Sequence, residues 1–202
     1  MNPDREKLYS GLSCAAKGYL LIHINFNIGM NGVQINILPA FAGYLLLLSA
    51  IEKLSGERRD LALLRPLGLL LAGWHAVDWM FTWAGTQLGD ILPAANLLMQ
   101  VVTLYFHFQF LTDMAALAET YQPVGSGLDR RLRGRRAAYV VLSTVISVLS
   151  SVPAGRFEEE KVVVMILLAV AAMIVVLFIV GGLFELRKAE REAQDAETAE
   201  NK

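Results

Sequence analysis

Cysteine is almost missing from this chain. The single Cys14 excludes an internal disulfide, and with no apolar run before it Cys14 reads as a small residue at a helix start. Charge is also scarce: 18% of residues are charged, below the rough quarter of a soluble domain. The net charge of −1 supplies no basic field, so nucleic acid is not an expected partner. There is no Gly-x-Ser-x-Gly elbow, no His-Glu-x-x-His helix and no Gly-x-x-x-x-Gly-Lys loop, so no catalytic residue, cofactor or metal ligand is assigned. The N-terminus does not read as a signal peptide: Asp4, Arg5, Glu6 and Lys7 are mixed in sign, and the following apolar stretch contains His23, Asn25 and Asn27.

What the chain has instead is apolar length. Of its 202 residues 55% are hydrophobic, and the charges cluster between long uncharged runs. Val162–Phe184 holds 23 residues without a charged or hydrogen-bonding side chain. At ~1.5 Å per residue this covers roughly 34 Å, enough to cross a hydrocarbon core of ~30 Å. Five further runs predict an all-α integral membrane protein with six transmembrane helices, at about 12–29, 37–54, 64–84, 91–117, 137–152 and 162–184. These form one membrane domain over 12–186, between a short N-terminal segment (1–11) and a charged tail (187–202). Pro39 and Pro66 fall in first turns, where a missing N–H costs little, and Asn36 is the expected N-cap of the second helix.

The Lys/Arg distribution sets the orientation. Lys53, Arg58, Arg59 and Arg65 lie between spans two and three, and Arg130, Arg131, Arg133, Arg135 and Arg136 between four and five. The links after spans one and three contain no basic residue. The basic links, and with six spans both termini, are therefore expected in the cytoplasm. The arginine run reads as a topology determinant, with anionic lipid as an alternative contact. No protein partner is indicated.

Polar residues within the spans are the candidate site, because ionisable groups at membrane depth are costly and mark function by default. His75 and Asp78 are three apart and His23 and Asn27 four apart, each pair on one helical face. Asn96, Gln100, Thr103 and His107 form a stripe spaced four, three and four, and Ser143 and Ser147 share a face of the fifth span. His23 and His75 each lie about eleven residues inside the expected cytoplasmic interface, or ~16 Å, and His107 lies nearer the cytoplasm. Trp83 fits an interfacial belt, whereas Trp74 is deep enough to be a packing residue. The ligand- or proton-binding candidates are thus His23, Asn27, His75, Asp78, Gln100 and His107, between helices one, three and four.

Two patterns bear on ancestry. Asn36-Ile-Leu-Pro-Ala40 recurs as Asp90-Ile-Leu-Pro-Ala94, which hints at a weak hairpin repeat of helices 1–2 and 3–4 or at a coincidence of favourable helix starts. Gly18-Tyr-Leu-Leu-Ile-His23-Ile-Asn-Phe-Asn-Ile-Gly29 followed by Ile37-Leu-Pro-Ala-Phe-Ala-Gly43-Tyr44 resembles a group of small multi-pass membrane proteins from Gram-positive bacteria. That resemblance covers the first quarter of the chain and implies a bacterial plasma membrane, without an activity. Three readings stay open: small-solute or ion transport or binding, a non-catalytic scaffold in which the polar residues lock helix packing, and an intramembrane metal enzyme using the histidines and Asp78.

Overall fold

The computed structural model describes residues 3–24, 27–30, 33–36, 39–151 and 158–200, and describes side chains over 5–24, 39–151 and 159–193. The elements are α1 (Pro3–His23), β1 (Asn27–Met30), β2 (Val33–Asn36), α2 (Ala40–Leu54), α3 (Arg59–Ala62), α4 (Arg65–Trp83), α5 (Leu88–Ile91), α6 (Pro93–Tyr121), α7 (Leu128–Ser151) and α8 (Glu158–Glu200). The fold is therefore helical apart from one short antiparallel hairpin. Three helical stretches are long and apolar enough to cross a membrane: Arg59–Trp83, Pro93–Tyr121 and Glu159–Ala193.

The six long helices close into a ring. α1 packs on α2, α2 on α4, α4 on α6, α6 on α7, α7 on α8, and α8 back on α1. The joints are unequal: α1–α2 is the most extensive and α4–α6 is thin. The α1–α2 joint owes its closeness to missing side chains. A Cβ at Gly18 would stand 2.8 Å from the carbonyl oxygen of Gly43, and one at Gly43 would stand 2.8 Å from that of Gly18. Small residues at such a crossing let two backbones approach closely. Gly182 serves the α7–α8 joint, where a Cβ would meet Arg135 Nη1 at 2.8 Å.

Several boundaries differ from expectation. α1 begins at Pro3 and ends at His23, and Asn27–Met30 and Val33–Asn36 are paired strands rather than helix and link, with Met30 opposite Val33. Asn36 is not a helix cap: it ends β2, and Pro39 holds the N-cap position of α2. Nine residues of the expected fourth link, Leu128–Arg136, belong to α7, because arginine is a good helix former and Gly127, at φ 62°, turns the chain just before it. The tail expected from 187 onward is part of α8, with Ala189 and Glu190 buried. The pentapeptide echo does not extend to local structure: Asn36 ends a strand, whereas Asp90 lies in α5. Asn25, Gly32, Ile37, Leu38, Pro153 and Gly155 lie outside the described residues.

Candidate functional site

Inside the ring is a cavity of about 600 Å³. Its lining comes from α1, α2, α4, α6 and α7. Helical spacing explains why. Trp74, His75, Asp78, Trp79 and Thr82 recur every three or four residues on α4, and Asn96, Gln100, Thr103 and His107 do so on α6. Ser143 and Ser147 continue the pattern on α7. Each helix thus turns one polar stripe inward and leaves the opposite face apolar. Leu69, Met80, Leu98 and Val141 are among the exposed large hydrophobic residues.

The inner end is an aromatic layer. His23 and His107 have ring centroids 5.4 Å apart, and both stand beside Tyr139, at 5.5 and 5.7 Å. Tyr19 stacks on His23 at 4.7 Å, and Tyr44 stacks on His75 at 5.1 Å with only 10° between ring planes. The Tyr44 hydroxyl pairs with His107 Nε2 at 3.3 Å. His23 has a defined tautomer when neutral. Its Nδ1–H donates to the Tyr19 carbonyl at 2.9 Å, so Nε2 keeps its lone pair and accepts from the Tyr139 hydroxyl at 3.1 Å. Two polar atoms in this layer, His107 Nδ1 and the Tyr19 hydroxyl, are buried without a hydrogen-bond partner among the described residues, where buried polar groups are normally paired.

Asp78 sits elsewhere on the wall and has a structural task. Its Oδ1 accepts the backbone N–H of Leu88 at 3.0 Å, tying α4 to the first turn of α5, and its own carbonyl accepts from Thr82 Oγ1 at 2.9 Å. His75 and Asp78 line the same cavity but share no hydrogen bond. α5 is fastened on its other side by a close approach: a Cβ at Gly89 would stand 2.9 Å from Asn96 Nδ2.

Of the six candidate residues, the structure brings His23, His75, Asp78, Gln100 and His107 around the cavity and removes Asn27 from helical register with His23. Asn27 begins β1 opposite Asn36; its side chain lies outside those described. His107 belongs to the same layer as His23, their ring centroids being 5.4 Å apart, rather than lying nearer the cytoplasmic side. Among the described residues, no group of three or more His, Cys, Asp or Glu is placed to hold a metal ion. Tyr19, Tyr44 and Tyr139 were not singled out from sequence. Tyr19 and Tyr44 lie within the first two expected spans and are buried, whereas Tyr139, three residues after Arg136, carries no such signal in the sequence.

The arginine run is correspondingly a set of clamps. Arg131 pairs with Glu185 of α8 at 2.8 Å, and Arg133 pairs with Glu119 of α6. Arg135 donates to the Phe178 carbonyl at 2.6 Å. Arg136 donates to Thr112 Oγ1 at 2.6 Å and lies over the Phe108 ring at 4.3 Å. Arg130 is exposed. The α6–α7 turn is closed by Gln122, whose amide donates to Asp129 Oδ1 at 2.9 Å while its oxygen accepts from Asp129 N at 3.2 Å. That bond, helped by Arg133 and the α7 backbone, holds the Asp129 carboxyl below its ordinary value.

No protein-family model, curated protein or solved structure matches this chain.

Proposed function

We propose that this chain is a multi-pass bacterial plasma-membrane protein that binds, and carries across the bilayer, a small solute held inside its helix ring. All six long helices cross in this reading, with both termini and the arginine-rich end of α7 in the cytoplasm. The single observation that carries the functional part is the cavity: about 600 Å³ lined from five helices, within the ~300–1,000 Å³ of small-molecule sites. Its wall combines several rings with a few polar groups at membrane depth, the arrangement expected of a binding site rather than a packing defect.

A scaffold reading has one specific observation in its favour, the Leu88 N–H to Asp78 bond, which gives the carboxylate a structural partner. The two readings part on flux. In proteoliposomes, Asp78→Asn keeps an acceptor for Leu88 and is expected to abolish uptake of whichever solute raises the melting temperature, with folding intact. Uptake no different from empty vesicles for every stabilising solute, or no stabilising solute in a screen spanning neutral, anionic and cationic compounds, defeats the transport reading and leaves the scaffold. Cysteine labelling of single-site variants from either side tests the orientation. Label reaching Arg130→Cys from outside contradicts it.

A further inference from the structure

The cavity wall has a pronounced charge asymmetry. Among the described residues, no lysine or arginine lines it, and Asp78 is the carboxylate that does. Around it the wall is rich in rings: Trp74, Trp79, His75 and Tyr44 among them. We propose, resting on the reading of this cavity as a solute site, that the solute is a small organic cation, a quaternary ammonium or protonated amine, with its charge at Asp78 and its carbon shell against these rings.

Three features lead to this class. First, the Asp78 carboxylate is half-buried in the cavity wall and is not ion-paired to a lysine or arginine among the described residues, so a bound cation would supply the missing opposite charge. The bond from Leu88 engages Oδ1 alone, so Asp78 has acceptor capacity left after its structural task. Second, the negative faces of Trp and Tyr rings attract alkylated ammonium groups, and Trp does so best. Trp74 and Tyr44 each project from a helix that the packing holds in place, as such recognition requires. Third, the same wall disfavours anions: its described residues offer a carboxylate and no lysine or arginine to pair with phosphate, sulfate or carboxylate groups. A neutral solute would leave the Asp78 charge uncompensated.

The test compares two probes of one shape. Choline and its uncharged isostere 3,3-dimethylbutan-1-ol differ in the positive charge alone, and tetramethylammonium and tetraethylammonium bracket the size. Binding is measured by titration calorimetry and tryptophan fluorescence with the full chain in nanodiscs. At least one ammonium probe is expected to bind saturably, with choline at least about tenfold tighter than the isostere, a desolvated cation–π and ion-pair difference. Asp78→Asn is expected to weaken the ammonium by about tenfold or more at an unchanged melting temperature. Trp74→Leu keeps the carboxylate and is expected to narrow the ratio of choline to isostere, which a purely structural tryptophan would not do. Equal affinity for choline and isostere overturns the cation while leaving a solute site standing. Ammonium affinity unchanged in both variants, or no saturable ammonium binding, also overturns it. The solute screen above then decides whether the cavity takes another class.

Discussion

Replacing Gly43 by alanine adds one methyl group at the α1–α2 crossing, and its consequence follows from distances. The new Cβ would lie 2.5 Å from Ile22 Cγ1 and 2.8 Å from both Ile22 N and the Gly18 carbonyl oxygen. Ile22 Cγ1 can rotate away, but two of the three neighbours are backbone and cannot. Relief to an ordinary contact of about 3.5 Å requires the helices to part by roughly 0.7 Å. Overpacking of this kind costs ~1–3 kcal/mol, while alanine regains up to ~1 kcal/mol of helix propensity. Steric cost wins by about 1 kcal/mol, a fall of ~2–4 °C in melting temperature for a chain of this size. Gly73→Ala is the matched control. It makes the same chemical change in α4 with nothing within 4 Å of the new methyl, so it should leave the melting temperature unchanged or raise it. Fluorescence-monitored melting in one detergent compares the pair. Tyr44 adjoins the crossing, so Gly43→Ala should also loosen its stack on His75. If Gly43→Ala melts at or above the parent, or the two variants shift together, the close crossing is not what holds α1 to α2.

Other expected outcomes are more local. Tyr139→Phe removes the hydroxyl that His23 Nε2 accepts from and should cost ~1 kcal/mol, with nitrogen NMR of His23 showing a changed Nε2 while Nδ1 stays protonated. Arg136→Ala loses a charge-assisted bond and a ring contact and should cost about 2 kcal/mol, whereas exposed Arg130→Ala should stay within ~0.5 kcal/mol; equal effects in thermal melts would contradict the clamp assignment. Asp129 has a folded pKa below its unfolded value, so its contribution is present above about pH 4 and is lost as pH falls through the folded pKa. Asp129→Asn should therefore flatten that part of the acid limb of a pH–stability curve, and an unchanged acid limb would contradict the Gln122 assignment.

How much was legible in the sequence varied from element to element, for physical reasons. The third expected helix, 64–84, corresponds closely to α4 (Arg65–Trp83), because Pro66 opens an unbroken apolar run and Gly85, at φ 77°, closes it. Apolar content over a long window blurred the two short strands, Asn27–Met30 and Val33–Asn36, which a period of two would be needed to see. Arginines weighed as loop charge hid the start of α7, and with it the depth of Tyr139 on that helix. Helical spacing alone grouped His75 with Asp78 and Gln100 with His107. It could not show that Tyr44 joins these groups through His75 and His107, because that depends on how α2 sits between α1 and α4.

The short helix α5 acquires a role once the ring's joints are compared. α4 and α6 touch sparingly, and α5 spans the gap between them. One end of this strap is bonded to Asp78 through the Leu88 N–H, and the other lies against Asn96. The carboxylate that would meet a solute is therefore also a fastening of the α4–α6 seam. Occupancy and opening would compete for the same side chain.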